Sequence, residues 1–223
     1  MTSLMAAFGR AYHSENESNP VFNDFLAKRL MSPKAYDVLC GYVLSGADFF
    51  EPEAAALYNG KTGGKANKNG SIKNELNKRA NSAGRDLLLK IVNKHIAANP
   101  ICRSAYAETE VEKSSGEGGA QYIILGAGLD TFAFRKTKYI NHNMVFEVEH
   151  PLTQADKQRR MSSSGLKIKE NHKFVAFTMF LPKKFNMANV NSKKQGAVAT
   201  LRFCNLRQFF YLSSRDEITF DYV

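Results

Sequence analysis

The stretch from Tyr122 to Arg135 reads YIILGAGLDTFAFR, and its pattern indicates the class of fold. A short apolar run stops at Gly126 and Gly128. The residues that follow, TFAFRKTKYI (131–140), predict a helix. An apolar strand that turns through glycines into a helix is typical of the first unit of a parallel α/β sheet.

Two further strand patterns follow this one. MVFEVE (Met144–Glu149) predicts a second strand, and PLTQADKQRRM (151–161) predicts a helix with Pro151 in its first turn. KFVAF (173–177) predicts a third strand. Strands that alternate with helices at these spacings form parallel sheets with crossover connections. The sequence therefore predicts an α/β, Rossmann-like sheet.

The first hundred residues predict helices instead. VFNDFLAKRL (21–30) has an apolar stripe at three- and four-residue spacing, and Ser32 before Pro33 is a helix start signal. Residues 72–96 continue the helical period, and Pro100 is expected to close that run.

A further helix is expected from about Arg103 to Lys113. Residues 1–113 are thus interpreted as a helical cap with an arginine segment. Residues 114–223 are interpreted as the Rossmann-like core of the same integrated domain.

Composition and charge narrow the function classes. The chain has 223 residues, 43% of them hydrophobic, and a formal net charge of +10. Much of this charge lies in tracts 60–79 and 183–194, which are rich in Gly, Asn and Lys and poor in aromatic residues. Such tracts are typical of solvated loops and not of a specific nucleic-acid reader. GKTGGKA (60–66) is not a phosphate-binding P-loop, because Ala66 stands where a hydroxyl is required.

Neither a membrane protein nor a metal site is expected. The sequence has no apolar run of roughly 18–20 residues, which a spanning helix needs, and no signal-peptide pattern, so a cytoplasmic protein is predicted. The three cysteines are isolated from one another and are expected to be buried, reduced thiols. His13 and His95 are expected at the surface or at helix ends.

A carboxylate near the glycine turn points to an adenosine ligand. Glu149 ends the second predicted strand, a little over twenty residues after Gly126, where nucleotide-binding folds place an acid against the ribose hydroxyls. Glu147 lies on the same side of that strand and is interpreted as a residue that supports or substitutes for Glu149.

The sequence of the turn selects among adenosine ligands. A dinucleotide fingerprint needs a third glycine, but here Asp130 and Thr131 follow in GAGLDT. An acid beside the turn repels phosphate and is compatible with a cationic ligand. S-adenosylmethionine carries a sulfonium and an ammonium and no phosphate, so the turn favours it.

At this point two long motifs, ILGAGLDTFAFR and VFEVEHPLTQADKQRRM, carry a specific resemblance. They closely resemble the S-adenosylmethionine-dependent methyltransferases of the leucine carboxyl methyltransferase family. AFGRAYHS, FNDFLAKRL and NPICRSAYAE are similar to the same family's helical cap and arginine segment. The resemblance covers roughly residues 6–180, and it implies a class I methyltransferase sheet with an N-terminal helical cap.

The resemblance implies seven cofactor-binding positions in this chain: Arg103, Gly126, Gly128, Asp130, Glu149, Thr178 and Met179. Arg103 matches the arginine that meets the methionine carboxylate, and the two glycines form the turn over the same moiety. Glu149 stands where the family usually has Asp for the ribose. Thr178 and Met179 replace the acid and the apolar residue that address the adenine. Arg10 is a weaker candidate from the first helix.

The resemblance implies transfer of a methyl group to an oxygen, either a carboxylate or a hydroxyl of a small molecule. No metal or catalytic triad is needed for this reaction, so catalytic residues are not assigned. The C-terminal region after Asn189 departs from the family pattern, and the C-terminal strands are expected to be incomplete. The alternative is therefore a truncated, inactive relative that keeps only a nucleotide-binding or structural role. The sequence does not indicate the oligomeric state.

Overall fold

A computed structural model describes residues 2–62, 82–114, 121–135 and 143–177, together with the backbone of residues 197–201 and 209–212. The chain divides into two compact units, residues 3–102 and residues 103 onward. The predicted division at residues 113 and 114 remains a prediction.

The described part of the first unit is helical. Its elements in chain order are α1 (Thr2–Asn16), a 3₁₀ turn (Ala27–Leu30), α2 (Pro33–Ser45), α3 (Ala47–Phe50), α4 (Pro52–Thr62), α5 (residues 82–91), a π-helix (Val92–Ala97) and α6 (Ala98–Ser114). Helix α6 begins in the first unit and ends in the second.

Helix α2 begins as the sequence predicts. Ser32 is its N-cap, and the Ser32 hydroxyl accepts a hydrogen bond from the backbone N–H of Ala35 at 3.2 Å. Pro33 occupies the first turn, where its missing N–H costs nothing. This prediction is confirmed.

The segment 21–30 is not the predicted helix, apart from its final 3₁₀ turn. The reason lies in contacts with α1. The backbone N–H of Asp24 donates to the Ser14 hydroxyl at 2.7 Å, and the Asp24 carboxylate accepts from Arg10 Nε at 2.8 Å. These bonds hold the segment against α1 in a non-helical path. The apolar stripe splits, since Leu26 is buried while Phe25 is 59% exposed.

Pro100 does not end the helical run, contrary to the prediction. The chain continues from the π-helix into α6, and Pro100 lies in the first turn of α6. A proline inside an α-helix clashes with the carbonyl four residues earlier. The wider π turns immediately before Pro100 remove that regular spacing, so the helix continues.

Two histidines of the first unit make contacts that involve the π-helix. His13 Nδ1 lies 2.8 Å from Asn93 Oδ1. His13 is only 5% exposed and is therefore not at the surface, but it lies in the last turn of α1, as the expectation of a helix end allowed. His95 is half-buried, with Nε2 2.9 Å from Glu51 Oε1. Lys94 reaches the same carboxylate oxygen at 2.7 Å.

The described part of the second unit is built on a sheet. Its strands are β1 (Gln121–Leu125), β2 (Met144–Glu149), β3 (His172–Ala176), β4 (Ala197–Leu201) and β5 (Phe209–Leu212), with helix α7 (Pro151–Ser163) between β2 and β3. The strand order is β3-β2-β1-β4-β5. The first four are parallel, with Ile123 opposite Phe146 on β2 and Ala199 on β4. The predicted α/β, Rossmann-like fold is confirmed.

One face of the sheet packs a compact apolar cluster. Ile123, Phe146 and Val148 are buried together, with Leu125 and Val175 among the half-buried residues against them. Alternation along each strand sends these side chains to one side and leaves the neighbouring residues for the other. The apolar run of β1 is thus explained by a strand that is buried on both faces.

Two features around the sheet differ from expectation. The helix predicted at 131–140 is, within the described residues, a 3₁₀ turn at Phe132–Phe134. The sheet edge also differs, because β5 runs antiparallel to β4 and pairs Val198 with Tyr211. The sequence pattern did not predict this antiparallel strand. The expectation of incomplete C-terminal strands stays a prediction, because residues 178–196, 202–208 and 213–223 lie outside the described residues.

Candidate functional site

The strand order indicates the edge of the sheet at which a ligand would bind. β2 and β3 lie on one side of β1, and β4 lies on the other. The chain therefore changes direction across the sheet next to β1. In open parallel sheets, ligands bind outside the carboxyl ends of the strands at such a switch point. The turn that follows Leu125 lies at this edge.

Gly126 and Gly128 shape that turn. Their φ angles are +65° and +50°, in the left-handed region that other residues adopt only at a cost of roughly 1–2 kcal/mol. The N–H of Gly126 donates to the carbonyl of Val148 at 2.8 Å, and the N–H of Ala127 donates to the same oxygen at 3.3 Å. The turn after β1 is thus fastened to the end of β2.

Glu149 lies beside this turn and bonds to it. Its Oε2 accepts from the N–H of Gly128 at 2.7 Å, and its Oε1 accepts from the N–H of His150 at 2.8 Å. Each carboxylate oxygen has two lone pairs, so each keeps room for one further donor. Glu149 is half-buried at the carboxyl end of β2, as the sequence predicts.

Asp130 organises the loop from inside. It is 8% exposed, and its Oδ1 accepts from the N–H of Phe132 at 2.8 Å. Its own N–H donates to the carbonyl of Ala127 at 2.9 Å. These local bonds replace the helix start that the sequence predicted. A direct contact between Asp130 and a cofactor stays a prediction.

Arg135 closes the loop, and sequence reasoning gave it no role. Its Nη1 donates to Glu108 Oε2 on α6 at 2.9 Å, and its Nη2 contacts Glu108 Oε1. Its Nε donates to the Thr131 hydroxyl at 3.1 Å. Arg135 is 6% exposed, so this bidentate ion pair is largely screened from water.

Glu147 has a different role from the one that the sequence predicted. It is 1% exposed and forms an ion pair with Lys157 of α7, and its Oε1 lies 3.2 Å from His172 Nε2 of β3. Lys157 and His172 are also buried, and His172 lies between the rings of Phe134 and Phe174. The Glu147 carboxylate is therefore engaged below the site and does not substitute for Glu149.

The structure gives less detail for the other predicted site residues. Arg103 is half-buried on α6, in the second unit with the glycine turn. Arg10 is buried in the first unit, in its ion pair with Asp24. Thr178 and Met179 lie outside the described residues.

A sequence signal existed for the buried ion pair. Glu147 occupies an inner position of the apolar strand MVFEVE, and a buried acid needs a positive partner. Gln154, Lys157 and Met161 recur at three- and four-residue spacing in the next helix, so Lys157 faces the sheet. No comparable signal links Glu108 to Arg135, because 26 residues separate them and the helix period alone does not select Glu108.

Comparison with known proteins agrees with this geometry. The sequence profile described as Leucine carboxyl methyltransferase matches residues 3–198. The chain belongs to this family. It is also 32% identical over 175 residues to YktD of Bacillus subtilis (strain 168), named as a candidate S-adenosyl-L-methionine-dependent methyltransferase. That match covers 78% of this chain and 50% of YktD, so the chain spans about half the length of this curated relative.

Two other sequence predictions concern metals and membranes. The described residues contain no group of three or more His, Cys, Asp or Glu that could hold a metal ion. Within the same residues, no helix is both long and apolar enough to cross a membrane.

The cysteine prediction is partly wrong. Cys40 is half-buried, whereas Cys102 is exposed at the surface of α6. Both are free thiols, and Cys204 lies outside the described residues.

Proposed function

We propose that this chain is an S-adenosylmethionine-dependent O-methyltransferase that acts in the cytoplasm on a carboxylate or a hydroxyl of a small molecule. The observation that carries the proposal is the bond between Gly128 N–H and the Glu149 carboxylate, which holds an acid at the carboxyl ends of β1 and β2. Family membership and the similarity to YktD support the same cofactor. Nucleic acid is not a partner in this proposal.

The loop fits a ligand without phosphate. A phosphate-binding loop presents free backbone N–H groups to the anion. Here the N–H groups of Gly126 and Ala127 donate to Val148, and that of Gly128 donates to Glu149. A pyrophosphate would find these three donors already used, and it would face the negative charge of Glu149. S-adenosylmethionine avoids both conflicts.

In this proposal, Glu149 holds the ribose. The remaining lone pair on each of its oxygens can accept one ribose hydroxyl, and hydrogen bonds to charged groups contribute about 1.5–3 kcal/mol each. The glycines carry no Cβ, so the chain can pass close to the methionine part of the cofactor. Arg103 would meet the methionine carboxylate, and Thr178 and Met179 would flank the adenine.

The bound cofactor would supply a methyl group on a positively charged sulfur. In the proposed reaction, the acceptor oxygen would form a bond to the methyl carbon as the carbon–sulfur bond breaks, and S-adenosylhomocysteine would leave. The chain needs mainly to fix the cofactor in line with the acceptor. Such positioning can lower a barrier by about 7–11 kcal/mol. The hydrogen bonds that fasten the turn to β2 and to Glu149 provide the rigid support for it.

The two classes of acceptor, carboxylate and hydroxyl, differ in whether a proton must be removed during the transfer. A carboxylate attacks without releasing one, whereas a hydroxyl must lose its proton to a base or to water. At this edge of the sheet, Asp130 and Glu149 both bond to the backbone of the loop. The proposal therefore includes both acceptor classes, which the alkali treatment described below separates.

Binding is tested by calorimetric titration with S-adenosylmethionine and S-adenosylhomocysteine. Glu149→Gln keeps the size of the side chain but removes its charge, and it should weaken both ligands about 10- to 100-fold. Glu170→Gln, an exposed acid in the same unit, is the matched control and should leave binding unchanged. Absence of heat with either ligand for the unsubstituted chain would reject the proposal.

Transfer is tested with S-adenosylmethionine that carries a labelled methyl group. Cell extract is incubated with the protein, and the labelled product is treated with alkali. A methyl ester releases labelled methanol, whereas a methyl ether keeps the label. Binding of cofactor without any transfer would favour the alternative, an inactive relative that retains only a nucleotide-binding or structural role.

A further inference from the structure

The side chain of Arg135 joins two parts of the second unit that the site needs. Its guanidinium contacts both oxygens of Glu108 and also donates to Thr131, so three of its five N–H groups have partners here. The exposed fractions of the side chains are 7% for Arg135 and 19% for Glu108.

The ion pair between Arg135 and Glu108 fixes the relative orientation of the two side chains as well as the distance between them. Two parallel N–H···O bonds between a planar guanidinium and a carboxylate resist rotation, which a single point contact does not. A mostly buried ion pair contributes little net stability, because desolvation offsets the attraction. Its main effect is therefore on where the two attached elements lie.

Those elements carry the two halves of one predicted contact. Glu108 is on α6, which also carries Arg103 five residues earlier, about 7.5 Å along a rigid helix. Arg135 ends the loop that begins with Gly126 and Gly128, and local bonds hold that loop together. A shift of the pair moves Arg103 relative to the glycine turn.

We propose that Arg135 and Glu108 are positioning residues that set the place of Arg103 against the glycine turn. They thereby control affinity for the amino-acid end of the cofactor, while Glu149 at the end of β2 holds the adenosine end. This inference rests on the function proposed above, since it assumes that S-adenosylmethionine is the ligand.

The test compares two ligands that differ at that end. S-adenosylhomocysteine has the amino-acid carboxylate, and 5′-methylthioadenosine lacks it. Arg135→Lys and Glu108→Gln should each weaken S-adenosylhomocysteine about tenfold, in line with the large cost of ångström-scale misplacement. Both should change the affinity for 5′-methylthioadenosine less than about twofold. Glu112→Gln, an exposed acid one turn further along α6, is the matched control and should change neither affinity.

A double-substitution cycle separates positioning from general support of the fold. In a chain that already carries Arg103→Ala, Arg135→Lys should cause no further loss of S-adenosylhomocysteine affinity, because the group that it positions is gone. Thermal unfolding checks that every variant is folded.

The outcomes distinguish the two proposals. An equal loss of both ligands in Arg135→Lys, or full additivity with Arg103→Ala, would overturn the positioning role while the methyltransferase proposal stands. If the unsubstituted chain binds neither ligand, both proposals fail. Selective, non-additive loss of S-adenosylhomocysteine supports the positioning role.

Discussion

Replacement of Lys157 by methionine should strongly destabilise the sheet. Lys157 and Glu147 are buried together, with side chains 2% and 1% exposed. Methionine has a similar length but no charge, so the Glu147 carboxylate would remain buried without its lysine partner. Removing one partner of a buried ion pair costs about 3–5 kcal/mol. For a chain of this size, that corresponds to a fall of roughly 6–20 °C in Tm.

The measurement is calorimetric unfolding of Lys157→Met and the unsubstituted chain, with two comparison variants. Lys167→Met alters an exposed lysine and should change the free energy of unfolding by less than about 0.5 kcal/mol. The pair Glu147→Leu with Lys157→Met removes both charges and should recover most of the stability. A loss below about 1 kcal/mol for Lys157→Met alone would contradict this prediction, because it would mean that Glu147 is not held as a buried charge.

Three further predictions concern single positions. Gly128→Ala should lower Tm by roughly 2–8 °C, since a left-handed φ costs other residues about 1–2 kcal/mol; Gly41→Ala, at a helical position with open space around it, is the control and should not destabilise. Glu149→Asp should weaken S-adenosylhomocysteine about tenfold, because the shorter side chain cannot bond Gly128 and the ribose together. Hydrogen bonds from two lysines and a histidine lower the pKa of Glu51 from its ordinary value of 4.5 to about 2. Glu51 therefore contributes stability above pH 4.5 that is lost as the pH falls towards 2, and acid titration of Glu51→Gln should show a shallower loss over that window.

The sequence predicts the structure correctly where residues close together in the chain determine it. The cap formed by Ser32 and Pro33 depends on neighbouring atoms, and the structure confirms the helix that they start. The three parallel strands follow from apolar runs separated by crossover lengths, and they are also confirmed. The place of Glu149 beside the glycine turn follows from that topology.

The sequence-based predictions fail where contacts between residues far apart in the chain determine the conformation. The segment 21–30 has a helical pattern, but Asp24 is bound by Arg10 and Ser14 of α1, so tertiary bonds override the local preference. Pro100 lies inside a helical run because π turns precede it, and their position depends on partners such as His13. Single-residue patterns contain no information about such partners.

Because Gly128 and Glu149 are hydrogen-bonded, substitutions at position 149 and in the glycine turn should be coupled during evolution. Aspartate at 149 keeps the charge but is one methylene shorter, so it can serve the ligand only if the loop moves towards it. A change at 149 is then acceptable only alongside a change within residues 126–130. Among relatives, the choice of acid at this position and the sequence of the turn should vary together. Exchange of the acid alone, or of the turn alone, between two active relatives should impair the activity of both proteins. Exchange of the acid and the turn together should not.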